Sequence, residues 1–149
     1  TPLQTFNEEV VFRGLLLTAL FRLRWSQSAL VLGPAVLFCA LHWVFYRYNF
    51  EPENRGDLAW PALLTLFCFG VAANGLFLKT RSIALPWALH CGWNLNRFRL
   101  YDPRNPAHEM TEFATFNLLE GALPIVVLSA VLALVVCAWA FRAESAQRF

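Results

Sequence analysis

Residues 26–46 read SQSALVLGPAVLFCALHWVFY, and this run without Asp, Glu, Lys or Arg decides the fold. About 20 such residues in a helix span the roughly 30 Å of hydrocarbon in a bilayer. Two further uncharged runs of similar length lie at 58–78 and 121–141. The sequence therefore predicts several helices that cross a membrane.

Two weaker apolar segments extend this pattern. The uncharged run at 82–96 is shorter, and the segment at 6–21 is interrupted by its own Glu and Arg residues. We predict an all-α fold, a polytopic membrane helix bundle that forms a single domain over residues 1–149. Its five or so transmembrane helices are expected at about 4–23, 27–47, 58–78, 82–98 and 120–141.

The composition agrees with this class of protein. Apolar residues make up 58% of the chain, charged residues make up 15%, and the mean hydropathy is +0.46. A soluble domain carries more charge and less apolar surface. The net charge of +2 is too small to indicate nucleic acid as a partner, so we expect membrane lipid instead and no nucleic acid.

The first apolar segment carries two adjacent carboxylates, Glu8 and Glu9, followed by Arg13. An ionised group inside a bilayer costs about 2.5–3.5 kcal/mol unless it finds a partner or a wet cavity. Residues four apart share a helix face, whereas adjacent residues do not. We therefore expect Glu9 to pair with Arg13 and support the site, and Glu8, without a partner in its own helix, to serve it.

Two histidines are also embedded in apolar runs. Helical spacing puts His42 on one face with Phe38, and puts His90 on one face with Asn94. Because successive helices alternate in direction, both pairs and Glu8 fall toward the same membrane face. A histidine in a membrane helix can be only a hydrogen-bond donor between helices. The matching depth of these groups favours a shared site, supported by Phe38.

Three motifs lie in a fixed order on successive hydrophobic helices. They resemble those of the CAAX-protease and bacteriocin-processing (CPBP) family of glutamic-type intramembrane proteases, and the resemblance covers roughly residues 6–95. The motifs are Glu8-Glu9-x-x-x-Arg13, Phe38-x-x-x-His42 and His90-x-x-x-Asn94.

The resemblance implies a role for each catalytic candidate. The residues matching Glu8 and His42 hold and deprotonate a water that attacks a peptide carbonyl. Those matching His90 and Asn94 stabilise the oxyanion. Chemically, proton transfer and preorganised donors are the two contributions that such a hydrolysis needs.

The resemblance also implies an activity and a location. We expect an intramembrane endopeptidase that hydrolyses a membrane-anchored or lipid-modified peptide, for example a prenylated CAAX-type peptide. The protein is expected to be a multi-pass integral protein of the plasma (inner) membrane of a prokaryote. Family members usually carry further helices ahead of the first motif, and we expect 1–149 to be the protease core without them.

Other chemistries use the same residue types. A Glu and two His are also typical ligands of a catalytic zinc, so the alternative to a metal-free site is a zinc held by Glu8, His42 and His90. No HExxH pattern is present. A proton-coupled carrier would also use Glu and His in membrane helices, but it is expected to show matched inverted halves, which we do not find. A noncatalytic membrane scaffold is the third alternative.

Overall fold

The computed structural model describes residues 2–49, 60–101 and 123–145, and these residues are helical apart from two short turns. The first three elements follow one another without a break, and we call them the N-terminal rod. With the rod taken as one, the described residues form five helices, which confirms the all-helical fold. The elements are α1 (Pro2–Glu9), a π-helical segment (Val10–Leu17), α2 (Thr18–Arg22), α3 (Gln27–Asn49), α4 (Trp60–Thr80), α5 (Ala84–Tyr101) and α6 (Leu123–Ser145).

The helices differ from the predicted bounds by only a few residues. α3, α4, α5 and α6 each continue slightly past their predicted ends, because hydropathy marks the apolar run whereas helical hydrogen bonding continues into the polar flanks. The predicted starts at residues 58 and 120 lie outside the described residues. The π-helical segment was not predicted at all.

Two stretches are long and apolar enough to cross a membrane, Gln27–Phe45 and Leu63–Thr80, and Val127–Phe141 is a shorter apolar helix. Many large apolar side chains of the described residues lie on the surface. Leu15, Leu128 and Leu134 are 65%, 67% and 70% exposed. Soluble monomers rarely expose large apolar patches, so an exterior with this many exposed apolar side chains suits a lipid environment.

α4 is the central helix, and it packs against α3, α5, α6 and the π-helical segment. Its glycines allow the close approach. A Cβ added at Gly70 would lie 3.1 Å from Ala35 of α3, and one at Gly75 would lie 3.0 Å from Val136 of α6. Small residues let membrane helices come together in this way. α3 and α4 are therefore in close contact at the depth in the bundle where the polar side chains meet.

Two tight turns make sequential helices antiparallel. After the rod, Arg24 takes a left-handed conformation (φ 58°), and the Trp25 N–H donates to the Leu20 carbonyl over 3.3 Å. After α4, Arg81 does the same (φ 54°), and its N–H donates to the Phe77 carbonyl over 2.7 Å. Left-handed residues of this kind commonly end helices. The predicted helices at 4–23 and 27–47, and those at 58–78 and 82–98, leave only short connections between them, and the structure has a turn at each place.

Candidate active site

A buried ion pair lies at the end of α1. The side chains of Glu9 and Arg13 are 0% and 1% exposed, and Arg13 Nη1 donates to Glu9 Oε1 over 3.2 Å. The predicted contact between these two residues is therefore present. The same Glu9 Oε1 accepts a second hydrogen bond, from His90 Nδ1 of α5, over 2.8 Å. The ion pair thus joins the rod to α5.

The π-helical segment begins immediately after Glu9. In such a segment hydrogen bonds join residues five apart, and π-helical turns occur frequently at functional sites. The Thr18 hydroxyl also reaches back five residues, to the carbonyl of Arg13, over 3.3 Å. Two adjacent residues of the segment, Phe12 and Arg13, are both buried. The segment therefore directs neighbouring side chains into the bundle.

Glu8 lies on the other edge of the His90 ring. Its Oε2 is 3.7 Å from His90 Nε2, which is too long for a hydrogen bond but close enough for a charge interaction. The side chain is 26% exposed, in contrast to Glu9. Oε2 itself is buried and, like Glu9 Oε2, makes no hydrogen bond with the residues that the structure describes. Glu8 is therefore the more accessible of the two carboxylates.

Two expectations about Glu8 are wrong. Gln4, one turn earlier in α1, donates from Nε2 to Glu8 Oε1 over 3.3 Å, so Glu8 does have a partner in its own helix. The prediction considered charged partners and overlooked the amide. The two carboxylates also face one ring, although adjacent helical residues point apart. The reason is that the ring presents Nδ1 to Glu9 and Nε2 to Glu8.

α4 contributes two groups that the sequence analysis did not single out. Asn74 Oδ1 accepts from Arg13 Nε over 3.1 Å, and the Gly70 carbonyl accepts from Arg13 Nη2 over 3.5 Å. Asn74 Nδ2 donates in turn to the Val31 carbonyl of α3 over 2.8 Å. The available signal was that Asn74 is the one carboxamide in the uncharged run 58–78.

Aromatic rings connect His42 to this cluster. The Phe38 ring lies 4.2 Å from the His42 ring and 6.1 Å from the His90 ring, and the Arg13 guanidinium lies 5.2 Å from the Phe38 ring. His42 Nδ1 donates to the Phe38 carbonyl over 2.9 Å. This bond assigns the Nδ1 proton, so Nε2 carries the lone pair when the ring is neutral. Phe38 thus lies between the His42 ring and the buried cluster, and its supporting role stays a prediction.

Asn94 lies one turn after His90 on α5 and is half-buried. Within the part of the chain that the structure describes, we find no hydrogen bond from its amide to Glu8, His42 or His90. The structure therefore brings the two glutamates, Arg13 and His90 into direct contact and links His42 through Phe38. Asn94 is placed beside His90 by helical spacing alone, and its role stays a prediction.

The alternative zinc site does not fit the geometry. Among residues 2–49, 60–101 and 123–145, no three His, Cys, Asp or Glu side chains are arranged to hold a metal ion, so Glu8, His42 and His90 do not form a ligand set. His90 Nδ1 is engaged by Glu9, and the Arg13 charge lies 3.2 Å from that carboxylate and would repel a second cation. The side chains of Glu8, His42 and His90 therefore suit proton transfer better than they suit binding a metal ion.

Comparison with known proteins adds an independent finding. The family described as Type II CAAX prenyl endopeptidase Rce1-like matches residues 1–96. No curated protein and no solved structure matched the chain. The matched residues include every side chain of the cluster described above, whereas α6 lies beyond them.

Proposed function

The chain belongs to the Type II CAAX prenyl endopeptidase Rce1-like family, and from this premise we propose that it hydrolyses a peptide bond in the CAAX sequence of a prenylated, membrane-anchored peptide. Membership makes the protein a protease of a membrane-embedded family. It therefore favours peptide hydrolysis over the carrier and scaffold alternatives.

The different surroundings of the two carboxylates support Glu8 as the general base, and this observation carries the proposal. Glu9 is enclosed by Arg13 and His90 with no exposed surface, whereas the Glu8 side chain is 26% exposed. Oε2 of each carboxylate is buried without a hydrogen bond to the described residues, so the exposure of the side chain is what separates the two. A general base must lie within hydrogen-bond reach of the water that it deprotonates. Glu8 is the carboxylate that a water and a substrate can approach.

The reaction then follows the usual course of peptide hydrolysis. Glu8 takes a proton from the water, with His42 Nε2 as the second acceptor that orients it, and the water oxygen attacks the carbonyl carbon. Glu8 passes this proton to the leaving nitrogen and the C–N bond breaks; the second proton of the water then moves from the new carboxylic acid to the amine, which gives a carboxylate and an ammonium group. Atoms and charges balance without another reactant.

His90 and Asn94 are assigned to the oxyanion. Glu9 accepts from His90 Nδ1, so Nε2 is the ring atom that faces Glu8 and the reacting carbonyl, and it donates to the oxyanion only when the ring is an imidazolium with a proton on both nitrogens. The Asn94 amide, one turn further along α5, is a second donor. Donors that are already oriented stabilise the charge that develops in the transition state without reorganisation at that moment.

We further propose that the whole of 1–149 is one protease domain and that all five helices lie in the bilayer, as in a multi-pass protein of a prokaryotic plasma membrane. Support comes from the two candidate spans and from the exposed apolar side chains of α6. The partners are then membrane lipid and the tethered peptide.

The test uses the purified chain in lipid nanodiscs with a farnesylated CAAX peptide, and fragments are quantified by mass spectrometry. Wild-type protein should cut this peptide, and Glu8→Gln should abolish cutting while preserving the fold. Lys79→Gln is the matched control, because it removes a charge at the far end of α4, where Lys79 lies 5.5 Å from the Trp139 ring. Retained turnover in a folded Glu8→Gln protein would refute the assignment of the base. Equal cutting of the peptide without its prenyl group would refute the substrate class.

A further inference from the structure

Asn74 is an uncharged amide in the interior of α4, with 0% of its surface exposed. Both ends of its side chain bond to other helices: Oδ1 accepts from Arg13 Nε over 3.1 Å, and Nδ2 donates to the Val31 carbonyl over 2.8 Å. A buried amide that is satisfied at both ends fixes the groups that it contacts, because losing either bond leaves a polar atom unpaired. Asn74 therefore ties the rod, α3 and α4 together.

The hydrogen bond from Asn74 to the Val31 carbonyl lies where α3 and α4 approach each other closely. Pro34 lies inside α3 and has no N–H, so the Leu30 carbonyl four residues earlier lacks its usual helical donor, and the Val31 carbonyl that accepts from Asn74 lies next to it. Helix carbonyls loosened by a proline inside a membrane are satisfied by neighbouring helices. The close approach of Gly70 to Ala35 brings α4 near enough for Asn74 to donate to the Val31 carbonyl beside that position.

Arg13 connects Asn74 to the candidate active site. Its nitrogens donate to three different acceptors: Asn74 Oδ1, the Gly70 carbonyl and Glu9 Oε1. A guanidinium is planar and its N–H directions are fixed. Holding the Nε edge therefore also sets the direction in which Nη1 meets Glu9, whose Oε1 accepts from His90 at 2.8 Å.

We propose that Asn74 is a positioning residue of the peptidase reaction. It holds Arg13 so that Glu9 keeps His90 in the orientation that presents Nε2 to the reacting carbonyl. The inference rests on the proposed function of His90. Asn74 itself touches neither the substrate nor the water, and it acts through Arg13 and Glu9.

Two variants test the proposal from opposite sides. Asn74→Leu keeps the branched shape and the number of side-chain heavy atoms but removes both hydrogen bonds, and Arg13→Lys keeps the positive charge but loses the planar fork. Each should lower kcat about 10²-fold, because a small misplacement of a catalytic group has an effect of this size. KM should change by less than about threefold, since ground-state binding is untouched. Thr65→Val is the control, because Thr65 is buried in the same helix and its hydroxyl makes no hydrogen bond with the described residues.

A second measurement is independent of activity. Nitrogen NMR of the histidine rings in detergent micelles reports the proton on His90 Nδ1, with His90→Gln assigning the signal. Asn74→Leu and Arg13→Lys should both shift this signal, and Thr65→Val should leave it unchanged. If Asn74→Leu does not fold, Arg13→Lys decides by itself.

The outcomes separate the two proposals. Wild-type kcat in either folded variant, or an unshifted His90 signal, would overturn the positioning role. A wild-type protein that cuts no CAAX peptide while the variants still shift the His90 signal would overturn the proposed function and leave the connection from Asn74 to His90 in place.

Discussion

Replacing Glu9 with glutamine tests whether the buried ion pair stabilises the bundle. Glutamine has almost the shape of glutamate but no charge, so Arg13 would stay buried, at 1% exposure, without the carboxylate that now lies 3.2 Å away. Breaking a buried pair by removing one partner costs about 3–5 kcal/mol, because the remaining charge is left uncompensated.

The contacts of Arg13 place the expected loss at the lower end of that range. Arg13 keeps its hydrogen bonds to Asn74 Oδ1 and the Gly70 carbonyl, and the amide oxygen of a glutamine can still accept one of the two bonds that now end on Glu9 Oε1. We therefore expect the free energy of unfolding to fall by about 3 kcal/mol. For a domain of this size, Tm should fall by about 6–12 °C.

Thermal unfolding in detergent, followed by circular dichroism, measures this loss. Glu8→Gln is the matched control, since it makes the same change at the neighbouring residue, which is 26% exposed and 3.7 Å from its nearest charged partner. It should lower the free energy of unfolding by less than about 1 kcal/mol. Equal destabilisation of the two variants, or a wild-type Tm for Glu9→Gln, would refute the reasoning.

Three further predictions concern the chemistry. His42→Ala should reduce peptide cutting as strongly as Glu8→Gln with little change in Tm, and a variant of His42 that keeps most of its turnover would remove it from the site. Asn94→Ala should lower kcat about 10²–10³-fold with KM nearly unchanged, the effect of losing one oxyanion donor; an equal rise in KM would make it a binding residue instead. Chelators should not inhibit, and elemental analysis should find no stoichiometric zinc in active protein; zinc lost together with activity would contradict this.

The helices could be predicted because hydropathy is read residue by residue. Runs such as 26–46 leave few alternatives to a membrane helix, and the order of the three motifs identified the family that the comparison then confirmed. The contact between Glu9 and Arg13 was also predictable, because it depends only on helical spacing within one element.

The partners of those residues could not be read from the sequence in the same way. Asn74 meets Arg13 from 61 residues away and meets Val31 from 43 residues away, so these bonds follow from how the helices pack. An amide within an apolar run shows that a polar contact is needed but does not identify its partner. The single ring that faces both Glu8 and Glu9 was missed for a different reason. Helical spacing shows that the two side chains point in different directions, but an imidazole ring has a nitrogen on each edge and can therefore meet both.

The π-helical segment has a consequence for insertions and deletions in the rod. Val10–Leu17 winds through fewer turns than an α-helix of the same length would, so it sets the rotational phase of α1 relative to α2. Removing one residue there would let the rod relax toward regular α-helix without touching a catalytic side chain. It would also rotate both carboxylates about the rod axis and away from His90. The length of this segment is therefore constrained as tightly as the identity of the residues on either side of it.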